Sequence, residues 1–344
     1  MSADLLDRRL LVVTGKGGVG KTTVAAALAW EAASIGKRVL VCELDAKGDL
    51  LNALGQSLAV KGENNTARAQ DTLTFVPREL HPRLHAMVMD PEASLKEYLK
   101  QNLRIPLVTR VGALSSAFDF LANAAPGVRE IVTIGKLAYE VREKHYDLVI
   151  ADASATGHVA GLLRAPQAIN ELVGVGLIRS QTAWILDILQ NPETTGVVLT
   201  TTSEELAVNE SLELLARLGA GVAADRAISD IPVDCAALVV NRLLPQTLAA
   251  SDGQAIAKLS AKLRTKPRQL GTIDPALLAD VLDGAELLDA LVRGRAPHLD
   301  RLLAAWSGPM ALVPTITTKP SGLPITRAVA GHLVDELSLR RAGV

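Results

Sequence analysis

Residues 15–23, which read GKGGVGKTT, place four glycines and two lysines in nine positions. Glycine weakens helices and strands, so this density needs a reason other than stability. The spacing G-x-x-x-x-G-K-[ST] is met by Gly15, Gly20, Lys21 and Thr22 and is the signature of a loop whose backbone N–H groups bind phosphate. The segment therefore predicts a phosphate site, but the pattern gives no task to Lys16.

The residues around the loop supply the structural context that the motif requires. Residues 8–14 (RRLLVVT) predict a buried strand, the stretch VAAALAWEAAS predicts a helix that ends at Gly36, and RVLVCEL predicts a second strand. The loop then lies at a strand-to-helix turn, where the positive end of the helix also solvates phosphate. We expect Lys21 to neutralise the β and γ phosphates and the Thr22 hydroxyl to bind Mg²⁺.

Four later segments repeat the buried-strand pattern, and each follows a helical stretch: YDLVIAD (146–152), TGVVLTT (195–201), AALVVNR (236–242) and PMALVP (309–314). This alternation predicts an α/β fold with a mostly parallel sheet and helices on both faces. Ser203 is expected to cap the helix after the second of these strands, and Asp274-Pro275 is expected to open a later helix.

Two stretches depart from the alternation of strand and helix. Residues 158–191 predict consecutive helices, and residues 56–125 predict a polar loop followed by a strand at 82–90 and helices near 91–101 and 106–124. We interpret both stretches as an α-helical subdomain mounted beside the sheet, so that residues 1–344 form a single domain.

Composition excludes several classes of function. The 36 basic and 37 acidic side chains leave a net charge of −1, which does not indicate a broad surface for nucleic acid. The first residues lack the features of a secretory signal, and no run of eighteen apolar residues is present. We therefore expect a cytoplasmic protein with no nucleic-acid partner.

Two aspartates stand where predicted buried strands end. Asp45 follows VLVCEL and Asp152 closes LVIAD. A lone aspartate after a strand is usually a turn former, but ligands of open α/β sheets bind outside the carboxyl ends of the strands. Beside a phosphate loop, the two residues are therefore candidates for the acids that nucleotide hydrolysis needs.

Several segments of the sequence resemble those of a known family. GKGGVGKT resembles the deviant phosphate loop of the class that includes the nitrogenase iron protein and the division- and partition-positioning ATPases. Within that class, DASATGHVAGLLRAP (152–166) resembles the second switch of the arsenite-pump and tail-anchored-protein-targeting ATPases, and LDAKGDLLNALG (44–55) is similar to their first switch. The segments PGVRE (126–130), VVNR (239–242) and VPTITTKPSG near residue 313 also resemble segments of this family.

The resemblance implies a role for each candidate residue. Lys16 would cross a dimer interface to contact phosphate in the opposite subunit, although a lysine that only solvates the loop is the alternative. Asp45 would position the attacking water, and Asp152 would hold Mg²⁺ through water. The Gly157 N–H would sense the γ-phosphate, and Asn241 would read adenine, unless it is a helix cap after its strand. The loop residues expected to bind the nucleotide are Gly15, Gly17, Gly18, Val19, Gly20, Lys21, Thr22 and Thr23.

Two departures from the family pattern concern the switches. In the first switch, residues 46–48 (AKG) replace the family's Pro-Ala-His, and in the second, residues 153–155 (ASA) replace its Thr-Ala-Pro. Both switches keep their acid, so hydrolysis is still predicted.

The resemblance would also suggest two cysteine sites: a C-x-x-C pair that binds zinc between subunits, as in the eukaryotic targeting ATPases, and a three-cysteine metalloid site, as in the arsenite-pump ATPases. The cysteines of this sequence exclude both. Cys42 and Cys235 are the only cysteines, and no C-x-x-C pair is present. Tetrahedral zinc between two subunits needs four ligands, so no zinc is expected. Two cysteines in predicted strands do not form a three-cysteine metalloid site either. We expect two buried, reduced thiols.

The resemblance implies an ATPase that uses ATP and Mg²⁺ and acts as a homodimer or as a heterodimer with a paralogue. Three roles stay open: a switch that captures or delivers a hydrophobic membrane-protein client, a regulatory ATPase for an anion-transporting membrane partner, and a nucleotide-clamped scaffold that hydrolyses poorly. Seven apolar residues could line a client groove or form the buried face of the helical subdomain: Leu172, Val175, Leu177, Ile178, Trp184, Ile185 and Ile188.

Overall fold

The structure is a computed structural model and describes residues 4–45, 47–56, 73–103, 127–172, 177–221, 229–245, 250–265, 274–317 and 319–339. Its strands are β1 (Leu10–Thr14), β2 (Val39–Glu43), β3 (Arg78–His81), β4 (Leu84–Val88), β5 (Leu148–Asp152), β6 (Thr195–Thr201), β7 (Cys235–Leu243) and β8 (Met310–Pro314). Its helices are α1 (Lys21–Ser34), α2 (Asp49–Ala53), α3 (Pro91–Leu103), α4 (Val128–Arg142), α5 (Thr156–Leu172), α6 (Leu177–Gln190), α7 (Glu205–Arg217), α8 (Ala250–Thr265), α9 (Pro275–Ala305) and α10 (Leu323–Leu337).

The strands form one sheet in the order β3-β4-β2-β5-β1-β6-β7-β8. Every neighbouring pair is parallel except β3 and β4, which are antiparallel. Strand β1 lies between β5 and β6, so the loop that follows β1 emerges at the carboxyl edge near the middle of the sheet. The predicted α/β fold with a mostly parallel sheet is confirmed.

Two hydrophobic cores lie on the two faces of the sheet. Leu10 and Val12 of β1 belong to the first core, together with residues of α4, α5, α6 and α7, whereas Leu11 and Val13 belong to the second, together with residues of α1 and α10. Successive side chains of a strand point to opposite faces, so a strand covered by helices on both sides must be apolar throughout. This explains why the five residues of β1 are all buried.

Two details differ from the sequence predictions and one agrees. Strand β3 is an antiparallel edge strand that the polar sequence RELH did not indicate. Ser203 does not cap α7, because the helix begins one residue later and the side chain of its N-cap residue, Glu204, makes no capping hydrogen bond. Asp274, in contrast, caps α9 as predicted, since its carboxylate accepts a hydrogen bond from the backbone N–H of Ala276.

The two stretches that were expected to form a helical subdomain are described in part. Helix α6 and all but the first two residues of α5 lie in 158–191, and α3 lies in 56–125. The helix expected at 106–124 and most of the polar loop lie outside the described residues. Of the seven apolar groove candidates, Ile185 is buried, and Trp184 and Ile188 pack against the first core. For these three the buried-face interpretation holds, and the side chains of the other four lie outside the described residues.

Candidate nucleotide-binding site

The phosphate loop is built on close backbone contacts that only glycine permits. Gly20, the residue before α1, has φ +96°, and a Cβ atom there would lie 2.3 Å from Nδ2 of Asn241. At Gly15 (φ +154°) a Cβ atom would lie 1.8 Å from the backbone oxygen of Thr200 in β6. A side chain would displace the backbone of β6 at Gly15 and the side chain of Asn241 at Gly20, which accounts physically for two of the glycines in the motif.

Strand β7 holds the loop from the side. Nδ2 of the buried Asn241 donates a hydrogen bond to the backbone oxygen of Val19 at 2.9 Å, and Nη1 of Arg242 donates to that of Gly18, also at 2.9 Å. Asn241 lies inside β7 and not at a helix start, so the helix-cap interpretation is wrong. The side-chain oxygen of Asn241 is not used in the bond to Val19.

Lys21 and Thr22 open helix α1 at the mouth of the site. Nζ of Lys21 donates to the backbone oxygen of Lys16 at 3.2 Å, which closes the loop on itself. Burial lowers the pKa of the Lys21 ammonium, and the nearby carboxylate of Asp152 opposes this shift. Oγ1 of Thr22 donates to Oδ2 of Asp152 at 2.7 Å, so the loop and the end of β5 meet directly.

Asp152 is a buried acid with an open oxygen. Its Oδ1 atom has no hydrogen-bond partner within the described part of the chain, and burial raises the pKa of this carboxyl to about 7, with the charge of Glu43 acting in the same direction. A buried carboxylate oxygen beside a threonine hydroxyl is a suitable donor set for a hard divalent cation. The residues present therefore fit Mg²⁺, which Thr22 would hold directly and Asp152 through water.

Glu43 is a site residue that the sequence reasoning missed. It ends β2, is 2% exposed, and pairs in register with Asp152 of the parallel strand β5. Its Oε1 atom accepts a hydrogen bond from the backbone N–H of Asp49 at 3.2 Å, and burial raises its pKa. The sequence does contain one signal for Glu43, because it is a charged residue inside the apolar run VLVCEL. A charged residue at the end of a strand does not by itself indicate a binding site.

The first switch continues from β2 into α2. Asp45 lies two residues beyond the strand, and one of its carboxylate oxygens is 3.3 Å from Nζ of Lys47. Helix α2 begins after Gly48, whose φ of +80° turns the chain. The far end of α2 is attached to α10, because Oγ1 of the buried Thr326 donates to the backbone oxygen of Ala53 at 2.7 Å.

Lys16 and Thr156, a residue of the second switch, both contact Glu210 of helix α7. Nζ of Lys16 lies 3.7 Å from Oε1 of Glu210, and Oε2 of the same carboxylate accepts a hydrogen bond from Oγ1 of Thr156 at 3.0 Å. Gly157 follows in the first turn of α5, with open space around its Cα. Glu210 was not identified from the sequence, because nothing in a helical run marks one surface glutamate among several.

A cavity of about 470 Å³ connects these elements. It brings together nine of the residues singled out from the sequence: Gly17, Gly18, Gly20, Lys21, Thr22, Thr23, Asp45, Asp152 and Asn241. Glu43, Lys47 and Arg242 also line it. The other four candidates, Gly15, Lys16, Val19 and Gly157, do not line the cavity.

The cysteines are buried in the core, and the side chains that could bind a metal ion are not grouped in the described part of the chain. Cys42 and Cys235 are buried free thiols, as expected, and burial raises the pKa of both. The described residues contain no group of three or more His, Cys, Asp or Glu side chains placed to hold a metal ion. None of the described helices is long and apolar enough to span a membrane.

A phosphate loop at the turn between β1 and α1, with acids at the ends of the two neighbouring strands β2 and β5, defines a P-loop nucleoside triphosphatase. The family model described as anion-transporting ATPase matches residues 8–182, more than half of the chain. The chain therefore belongs to that family, and it is an ATPase that uses a nucleotide and Mg²⁺.

Three similar proteins carry the name ATPase. ATPase BagA of Mycobacterium tuberculosis is 30% identical over 250 residues, which are 71% of this chain and 68% of that protein. ATPase GET3 of Mycosarcoma maydis is 29% identical over 171 residues, 49% of this chain and 46% of that protein. ATPase get3 of Schizosaccharomyces japonicus is 30% identical over 161 residues, 47% of this chain and 45% of that protein.

Proposed function

We propose that this protein is a dimer-gated Mg-ATP switch that captures or delivers a hydrophobic membrane-protein segment from the cytoplasm. The observation that carries the client-binding part is a stripe of exposed apolar side chains on the long helix α9. The dimer, of identical chains or with a paralogue, and the helical subdomain at 56–125 and 158–191 are parts of the same proposal.

The proposed hydrolysis gives each candidate residue one task. Asp45 orients a water that attacks the γ-phosphorus, and the bond to the β–γ bridging oxygen breaks to give ADP and phosphate. Lys21 neutralises charge from its own chain, and Lys16 of the opposite subunit does so in trans. The Gly157 N–H senses the γ-phosphate and Asn241 contacts adenine. Mg²⁺, when bound, supplies charge neutralisation at the phosphates.

The apolar face of α9 supports a hydrophobic client. Leu277, Val281, Leu287 and Leu291 are between 41% and 63% exposed. At 3.6 residues per turn they fall within about a third of the helix circumference, so they form one stripe and not scattered positions. Large apolar side chains exposed in a row are typical of a surface that binds another apolar element.

A chain of contacts links this helix to the second switch. Thr156, at the start of α5, contacts Glu210 of α7. Helix α7 in turn contacts α9, because Nη2 of Arg295 lies 2.9 Å from Oε1 of Glu204 and Nη2 of Arg301 donates to Oδ1 of Asn209 at 3.0 Å. Movement of the second switch with the nucleotide would therefore be transmitted to α9.

The experiment measures protection of a synthetic apolar transmembrane peptide from aggregation, with the protein in Mg·ATP, in Mg·ADP or without nucleotide. We expect protection in one nucleotide state only, and a strong loss of it in the double variant Leu287→Asp/Leu291→Asp. The control is Leu206→Asp, a similarly exposed leucine on α7 outside the stripe. Equal protection in all states, or an equal loss in the control, would contradict the client-binding role.

A second candidate is a regulatory ATPase that serves an anion-transporting membrane partner. The observation that favours it is the description of the matching family, anion-transporting ATPase. In this case the transmembrane peptide would not be protected in any state, while ATP turnover would respond to a membrane transporter reconstituted in vesicles. A poorly hydrolysing scaffold differs from both, because it would not sustain multiple turnovers.

A further inference from the structure

Glu43 occupies a position where a buried charge needs an explanation. It is 2% exposed and ends a strand whose other residues are all buried and uncharged. Directly paired residues of parallel strands point to the same face of a sheet, so Glu43 and its register partner Asp152 are neighbouring carboxylates. Two carboxylates side by side in a buried site repel each other, and each makes ionisation of the other harder.

The two oxygens of Glu43 have different surroundings. Oε1 accepts the backbone N–H of Asp49 at 3.2 Å, and the backbone N–H groups of Lys47 and Gly48 also favour the charged form of this carboxylate. Oε2 is buried and has no hydrogen-bond partner among the residues that the structure describes. The same holds for Oδ1 of Asp152, and both residues line the nucleotide cavity.

A purely structural role, in which Glu43 only accepts hydrogen bonds from the backbone of the first switch, explains Oε1 but not Oε2. A neutral amide oxygen could accept the N–H groups of the first switch without placing a second negative charge beside Asp152. A buried carboxylate oxygen without a donor is costly unless a cation or a proton compensates it. The floor of the cavity already fits Mg²⁺ through Thr22 and Asp152, and the open oxygen of Glu43 adds to the same donor set.

We propose that Glu43 is a positioning residue that couples the Mg²⁺ site to the first switch. One oxygen holds the backbone of residues 47–49, and the other contributes negative charge to the cation, directly or through water. Binding of the cation then fixes the carboxylate, and the carboxylate fixes the loop that carries Asp45. This inference rests on the Mg-ATP cycle proposed above and concerns residues of this chain that the family resemblance did not assign.

The first experiment measures how much Mg²⁺ strengthens binding of a fluorescent ADP analogue, as the ratio of Kd without and with the cation. ADP avoids turnover, so the readout does not depend on catalysis. In Glu43→Gln, which keeps an acceptor for the loop but removes the charge, we expect the effect of Mg²⁺ to fall by about tenfold, as for other residues that support a metal site. Binding of the analogue without Mg²⁺ should stay the same or improve.

The control variant is Asp49→Asn, which removes an exposed carboxylate of the same switch that also lines the cavity, and it therefore tests whether any nearby negative charge has the same effect. It should change the effect of Mg²⁺ by less than about twofold, because an exposed charge is screened by solvent. An equal loss in both variants would reduce the role of Glu43 to general electrostatics and would overturn the proposal. An unchanged effect in Glu43→Gln would overturn it as well.

The second experiment follows trypsin cleavage after Lys47, an exposed lysine in the first switch, by mass spectrometry of the new N-terminus at Gly48. In the wild-type protein we expect Mg·ADP to slow this cleavage relative to ADP alone. That difference should disappear in Glu43→Gln, while Glu43→Ala should be cleaved faster under all conditions. The same protection by Mg²⁺ in Glu43→Gln would refute the coupling.

These outcomes separate the inference from the proposed function. If the wild-type protein shows no effect of Mg²⁺ on the affinity for the ADP analogue, the Mg-ATP cycle itself fails. If the wild-type protein shows the effect and Glu43→Gln retains it fully, only the role of Glu43 fails. Thermal unfolding of each variant identifies any that does not fold, and in that case Glu43→Asp, which keeps the charge, should retain most of the effect of Mg²⁺.

Discussion

Nζ of Lys16 lies 3.7 Å from Oε1 of Glu210, within its own chain. The other oxygen of Glu210 accepts a hydrogen bond from Oγ1 of Thr156, so one carboxylate of α7 contacts both the phosphate loop and the second switch. A lysine that contacts phosphate in an opposite subunit has to leave this position. The pair therefore holds the Lys16 side chain on its own subunit and competes with a contact across the dimer, so loss of the pair should favour the dimer.

We predict that Glu210→Gln increases the Mg·ATP-dependent dimer. The ion pair is partly exposed, and such pairs contribute at most about 1 kcal/mol, so the dimer dissociation constant should fall by up to about fivefold. Sedimentation analysis with and without Mg·ATP measures this constant. A weaker dimer in Glu210→Gln would show that this carboxylate supports the interface and does not compete with it.

We predict that Lys16→Ala lowers kcat by on the order of 10³, since a cation supplied in trans stabilises charge that develops in the transition state. Phosphate release under saturating Mg·ATP measures the effect, and affinity for ADP should change little. Turnover at the wild-type rate would remove the trans mechanism.

We predict that Asp45→Asn abolishes multiple turnover while ATP still binds, because the variant keeps the shape of the residue but loses the carboxylate that orients water. A mixing experiment sharpens this test. If Lys16 acts across the dimer, combining Lys16→Ala with Asp45→Asn should restore partial turnover, since a mixed dimer contains one complete site. Two inactive parents that stay inactive together, although mixed dimers form, would place Lys16 in its own active site.

We predict that Asn241→Ala destabilises the phosphate loop. The variant leaves the buried backbone oxygen of Val19 without its 2.9 Å hydrogen bond, which should lower the free energy of unfolding by about 1–3 kcal/mol and weaken nucleotide binding. Arg242→Ala provides the comparison, because its partner Gly18 is exposed and water can replace the lost bond. Thermal unfolding of both variants tests whether burial makes the difference.

We predict that the nucleotide-free protein loses stability as the pH rises through about 7. Burial raises the pKa of Asp152 to about 7, above the value of roughly 3.9 for an unfolded aspartate, so the folded state binds more protons between these values. The stability gained from this proton is present at lower pH, and between pH 6 and pH 8 on the order of 1 kcal/mol should be lost. Asp152→Asn should remove this part of the pH dependence, and an unchanged profile would contradict the assignment.

Much of the fold could be predicted from the sequence, because strands buried on both faces must be apolar throughout. The runs that became β1, β2 and β5 to β7 were therefore visible, and the glycines placed the loop between β1 and α1. The edge strand β8 was also predicted, because its sequence is apolar although only two of its five residues are buried. Strand β3 could not be found this way, because an edge strand with intermediate burial has no such constraint. The predicted cap of α7 was wrong for a local reason: Glu204 occupies the N-cap position, and Ser203 lies one residue before it.

The residues of the candidate site also fall into those that a local sequence pattern marks and those that only the fold brings together. Residues that belong to the spaced motif, such as Lys21 and Thr22, were identified because the motif fixes their spacing. Glu43, Glu210 and Arg242 were not, because they reach the site through the order of the strands and the packing of α7, which no local pattern encodes. Asn241 was identified only by resemblance, and its contact with the loop follows from the position of β7 in the sheet.

The match to the family model ends at residue 182, yet two backbone carbonyl groups of the phosphate loop accept hydrogen bonds from side chains of β7, some sixty positions further along. A fragment cut at the end of the matched region would retain every letter of the motif and lack the scaffold that shapes it. A nascent chain whose β7 has not yet left the ribosome lacks both hydrogen bonds, so we expect its phosphate loop to bind nucleotide more weakly than the loop of the finished protein.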